Sequence, residues 1–178
     1  KGIDYRDDSK VGDIKTLWEL GRHQHLVPLA AAYAVGGHQR YRDAVLHQIE
    51  GWVAANPFGI GIHWCSSLEV SLRLISWSLV HSLLALRDGP EGLLGPAGTR
   101  PRIEAAIYQQ ASFVRHYLSR YSSANNHLIG ELTGLFTATR VFDLGPKGDV
   151  WADYALLALE REAELDRKST RLNSSHIP

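Results

Sequence analysis

Asn125-Asn126-His127 stands where a polar stretch, YSSA, gives way to an apolar one, LIGELTGLF. Asparagine is a poor residue inside a helix and a good one at its start, so the pattern predicts a helix capped by Asn125. Asn126 and His127 then fall in the first turn. Unpaired amides and the helix dipole favour an anion there. An amide beside an imidazole at such a place suits neutralisation of a carboxylate. Glu131, one turn on from His127, is spaced to orient its ring. The plainer reading of the same residues is a cap followed by a half-buried histidine.

Two further clusters carry polar and aromatic groups together. In WELGRHQH, Glu19, Arg22 and His23 fall within one helical turn. The Arg22 fork fits a carboxylate or a sulfate, or else an internal pair with Glu19. His23 and His25, two apart, diverge on a helix and make a poor metal site. In HWCSSLEVSLRLISW, Glu69, Arg73 and Trp77 share a face at i, i+4, i+8. A Glu–Arg pair beside tryptophan, with Trp64 close by, lines a sugar cleft or joins two helices through a buried ion pair. Cys65 has no identifiable base beside it to make it a nucleophile. HExxH, Cys/His zinc and EF-hand spacings are absent, so no metal or cofactor is expected.

The elements that must position these residues are helices. The chain has 178 residues, 44% hydrophobic and 21% charged, enough for one domain with a core. Its formal charge is 19 − 19 = 0, which sets up no global attraction to nucleic acid or an anionic membrane. A lone cysteine permits no internal disulfide and says nothing of the compartment. Apolar residues recur at helical spacing and no strand alternation is evident. The first helical region covers about Asp13 to Val35, kinked or restarted at Pro28 and stopped by Gly36-Gly37. The second runs from about Gln39 to Ala55, ended by Asn56-Pro57. Ser66-Ser67-Leu68-Glu69 reads as a capping box for a third helix to about Leu86. Its apolar run, residues 74 to 86, is too short to span a bilayer and is expected in the core. Thr99 and Pro101 start a fourth helix to about Leu118. A fifth runs from about Asn126 to Phe142, and Asp149 caps a sixth to about Leu165. The expected fold is all-α, built of helical hairpins, with no repeat period.

The last residues stand apart. DRKSTRLNSSH, residues 166 to 176, looks like the codon-by-codon translation of a common short-read sequencing adapter, the other reading being a natural basic tail. Residues 166–178 are therefore set aside as an adapter-derived, disordered tail, and the domain is taken as 1–165. Without that tail the charge is 16 − 18 = −2. The natural sequence is expected to continue past Leu165 in a longer protein.

Three blocks in order, DIKTLWELGRHQHLVPLAAAY, HWCSSLEVSLRLISW and YSSANNHLIGELTGLF, resemble the heparinase II/III-like polysaccharide lyases. The resemblance covers about residues 10 to 165. It implies part of an incomplete (α/α) toroid, followed in the family by a β-sandwich region. It also implies cleavage of uronic-acid-containing polysaccharide, such as heparan sulfate, alginate or an exopolysaccharide, by β-elimination. Asn126 then neutralises the uronate carboxylate, with His127 as its partner and candidate base. Arg22, Trp64, Glu69 and Arg73 become candidates for substrate binding. His63 departs from the family pattern, which has asparagine there. The family's catalytic tyrosine and a further histidine would fall beyond Leu165, so the resemblance implies that residues 1–165 alone are inactive. A periplasmic or secreted location and an acidic polysaccharide partner follow from the same resemblance. The other function class open to the residues is a noncatalytic helical module that binds glycans or proteins.

Overall fold

The computed structural model describes residues 4, 7, 9, 12–96, 100–120 and 124–174. Among them every regular element is helical: α1 (Ile14–Gly21), α2 (Leu26–Gly36), α3 (Gln39–Ala55), α4 (Ser67–Asp88), α5 (Pro101–His116), α6 (Ala124–Val141) and α7 (Gly145–Ser174). Single 3₁₀ turns lie at Ile62–Trp64 and Gly92–Leu94. The all-α expectation holds. Thr99, expected to open the fourth helix, lies outside the described residues.

The first helical region is two helices, and the break falls before Pro28. Asp13 caps α1, its carboxylate accepting the Lys15 amide. His23 ends it by adopting a left-handed backbone at φ 59°. Pro28 then sits in the first turn of α2, where a missing N–H costs little. Gly37, at φ 71°, closes α2 by donating its amide to Tyr33 O. Two residues later α3 begins and packs back on α2 as a hairpin.

α4 is the central element, packed on α2, α5, α6 and the 92–94 turn. At 22 residues it is long and apolar enough, by length and composition, to cross a membrane. The thirteen-residue apolar run understates it because Ser66 starts the helix two turns earlier. Val70, Leu74, Trp77, Val80 and Leu84 are fully buried along it. Each such side chain stabilises the fold by about 1.5–3 kcal/mol through apolar burial. The capping box is only half formed. Ser66 Oγ accepts the Glu69 amide at 3.4 Å, but the Glu69 carboxylate turns to Arg22 instead of reaching back.

α6 lies close against α4. A Cβ at Gly134 would come within 2.7 Å of Ser71 O and 2.8 Å of Ser71 Cα, and one at Gly130 within 2.6 Å of Leu68. Glycine is required at 134 because the Ser71 backbone leaves no room for a side chain, whereas at 130 the close neighbour is only the movable end of Leu68. Asn125 is not the cap, since α6 already includes Ala124. α7 starts at Gly145, whose amide bonds to Asp143 Oδ1, so Asp149 lies a turn inside. α7 also runs past Leu165 to Ser174, where a disordered tail is expected. Residues 166–174 hold neither glycine nor proline, and their arginine, lysine and leucine are good helix formers.

Candidate functional site

Three elements meet around one cavity of about 510 Å³. The loop before α4 brings Trp64 and Ser66, the end of α5 brings Phe113 and Tyr117, and the start of α6 brings His127. Trp64 is buried and meets Phe58 and Phe113 edge-on, with ring centroids 5.0 and 5.4 Å away. Tyr117 is 64% exposed beside Phe113 and offers its ring to solvent. Trp64 Nε1 and Ser67 Oγ, both on cavity-lining residues, are buried without a hydrogen-bond partner among the described residues.

The rim of the cavity is tied down by Glu131. Its carboxylate accepts the Ser119 amide at 2.7 Å and the Ser119 hydroxyl at 2.8 Å. Both oxygens are thereby engaged on the segment that leads into α6, and Glu131 does not orient His127 as its spacing suggests. The Ser71 hydroxyl reaches the Glu131 carbonyl at 3.5 Å, on the α4 side.

Behind the cavity lies a polar core. Arg73, 1% exposed, donates Nε to Gln110 Oε1 at 2.7 Å, Nη1 to Gly21 O at 3.0 Å and Nη2 to His63 O at 3.4 Å. Its guanidinium lies 4.1 Å from the Trp52 ring centroid, a desolvated cation–π contact. Burial pulls its pKa down to about 9, with Glu69 opposing, so it stays charged at neutral pH. His23 accepts from Trp77 Nε1 at 2.9 Å through Nδ1, which puts the proton of the neutral ring on Nε2. Burial first, then the charge of Arg73 and the neighbours His25 and His63, push the His23 pKa down to about 3. His63 is pushed down by burial and by Arg73. Its ring fills the space that a Gly21 side chain would occupy.

The family model described as Heparinase II/III N-terminus matches residues 1–166, which takes in every residue of the cavity and of the polar core behind it. The chain belongs to the heparinase II/III N-terminal family. That family is one of polysaccharide lyases. No curated protein and no solved structure gives a significant match.

Within this heparinase II/III N-terminal region the six candidate residues divide. Trp64 and His127 share the cavity. Asn126 is exposed on the same turn but is not among the cavity walls, since neighbours on a helix point about 100° apart. Arg22 and Glu69 hold each other in a fork at 2.7 and 2.9 Å, with Glu69 buried, so neither offers an idle charge. The hydrogen bond to Glu69 raises the Arg22 pKa, against the effect of burial. Arg73 is corrected from cleft lining to core: its donors are spent on Gln110 and two carbonyls. Tyr117, Phe113 and Ser119 are cavity residues that sequence reasoning passed over. The only signal for them was Phe113 and Tyr117 at i, i+4 at the end of a helix next to the Asn-His block.

Proposed function

We propose that this domain supplies the carboxylate-recognition part of a lyase that cleaves uronic-acid-containing polysaccharide by β-elimination. The reaction removes the proton at C5 of a uronate. The C–H electron pair becomes the C4=C5 double bond, and the C4–O bond breaks, its oxygen leaving protonated. C5 is acidic enough only when the adjacent carboxylate is neutralised as charge spreads onto it. The Asn126 amide and the first-turn amides of α6 are the groups for that task, and His127 is partner and candidate base. The observation that carries the reading is His127 on the wall of a cavity that also holds Trp64 and Tyr117, in a chain of this lyase family. Aromatic faces suit pyranose rings, and an imidazole at the edge suits proton transfer.

By the same resemblance a tyrosine acid and a second histidine act from beyond residue 165, in a periplasmic or secreted enzyme. The test compares the full-length gene product with residues 1–165 on heparan sulfate, alginate and other uronate polymers. Ultraviolet absorbance of the unsaturated uronate reports elimination. Turnover by the full-length protein and none by residues 1–165 is expected. Robust turnover by residues 1–165 alone would refute the division of labour. Binding without elimination by the full-length protein would make this a noncatalytic glycan-binding module.

A further inference from the structure

The His127 cavity does not end at Trp64. A second cavity, of about 450 Å³, shares Trp64 and is walled by Asn56, Phe58, Gln109 and Arg102. A third, of about 340 Å³, shares Val53 and Arg102 with the second and adds Arg100. One helix face joins them. Arg102, Ala106, Gln109, Phe113 and Tyr117 recur every three or four residues along α5, so they form a single stripe. At 1.5 Å per residue that stripe is about 22 Å long, the scale of an oligosaccharide and not of one sugar. Ala105 and Ala106 keep its floor low between larger side chains.

The chemistry changes along the stripe. At the His127 end stand Tyr117 and Trp64. In the middle, Phe58 is 48% exposed and seated edge-on against Trp64. Asn56 spends its Nδ2 on Trp52 O at 2.9 Å, and no protein donor reaches its Oδ1 among the described residues. At the far end Arg102 is exposed and makes neither a hydrogen bond nor an ion pair among the described residues. Arg100 is partly occupied, donating to Leu93 O and lying 3.8 Å from Glu50. Aromatic edges, amides and an unspent cation in sequence match a chain of pyranose rings that carries negative charge.

We infer that an acidic polysaccharide lies along α5, from the His127 cavity across Trp64 and Phe58 to an anion subsite at Arg102. This rests on the proposed lyase reading and deepens it. The enzyme would grip a carboxylate or sulfate several sugars away from the bond it cleaves. Such remote binding energy is available to position the reacting uronate.

The test titrates the whole chain with uronate oligosaccharides from disaccharide to decasaccharide, following tryptophan fluorescence. Wild type should bind more tightly as the oligosaccharide lengthens. Arg102→Glu should weaken the decasaccharide about tenfold and leave the disaccharide unchanged, an effect that shrinks with added salt. Phe58→Ala should act in the same length-dependent way. Both positions are exposed, and unchanged melting curves will confirm that both variants fold. If both variants bind the decasaccharide as wild type does, the α5 subsites are wrong while the His127 reading stands. If wild type prefers a neutral oligosaccharide of equal length, the anion subsite is wrong. If wild type binds no uronate oligosaccharide at all, both readings fall together.

Discussion

Arg22 at the end of α1 and Glu69 in the first turn of α4 close on each other through two parallel hydrogen bonds, Nε to Oε2 at 2.7 Å and Nη2 to Oε1 at 2.9 Å. The fork joins residues 47 apart in sequence and holds a carboxylate that is 5% exposed. Arg22→Gln should therefore cost about 2–3 kcal/mol, because Glu69 is left buried without its partner. Arg22→Lys keeps the charge but not the fork and should fall between. Urea midpoints measure this. An unchanged midpoint for Arg22→Gln would mean that solvent at Arg22 already screens the pair.

His23 sets an acid limit on stability. Its pKa is about 3 folded, against 6.5 for a free histidine. A folded-state pKa below the unfolded one means that the unfolded chain takes up the proton first. Stability is thus complete above about pH 6.5 and is lost as pH falls towards 3, by up to about 1.4 kcal/mol per pH unit. His63 and His81 are shifted the same way by burial and add to the slope. His23→Asn keeps an acceptor near Trp77 Nε1 and tolerates the left-handed backbone. It should remove about one proton from the dependence of unfolding free energy on pH between 4 and 6. An identical slope in that variant would place the proton uptake elsewhere.

These two residues also show where sequence stops being informative. α3 and the Gly37 stop follow from apolar spacing and from glycine, both local properties. The chain break at His23 does not, because the left-handed histidine is held by Trp77 and the Gly21 carbonyl just before it by Arg73, both far away in sequence. The Ser66–Glu69 pattern correctly marks the start of α4, yet a distant arginine takes the carboxylate that the local motif would use. Glu69, Arg73 and Trp77 do share a face, as their spacing requires. Spacing alone does not say that this face meets Gln110 and two carbonyls instead of a sugar. Likewise His127 stands out in the sequence as a candidate and does line the cavity, whereas Tyr117 and Phe113 acquire meaning only once α5 and α6 lie side by side.

The α4–α6 crossing makes a paired prediction on glycine. Gly134→Ala would drive a Cβ into Ser71 backbone atoms and should destabilise by about 1–3 kcal/mol. Gly51→Ala, in the interior of α3 with open space around it, should instead stabilise by about 0.5–1 kcal/mol. Thermal melts of the two variants should move in opposite directions. A shift of the same sign in both would mean that helix propensity, not the close approach, governs Gly134.

Asn126 and Arg73 separate chemistry from architecture, and a full-length enzyme can be used to show it. Asn126 is exposed and Arg73 is 1% exposed. Asn126→Ala should leave the melting temperature unchanged and lower kcat for elimination by about 10²–10³-fold, the usual effect of losing one preorganised donor to a developing anion. His127→Ala should do the same or more if it is the base. Arg73→Ala should behave in the opposite manner. It strands Gln110 Oε1 and the carbonyls of Gly21 and His63 in the core, at a cost of about 3–5 kcal/mol, a large share of the roughly 5–15 kcal/mol that holds an ordinary domain folded. Activity and melting temperature measured on the same samples decide the matter. If Asn126→Ala turns over normally, the first turn of α6 is structural alone. If Arg73→Ala folds and loses only substrate affinity, its guanidinium must leave the core to meet the polysaccharide.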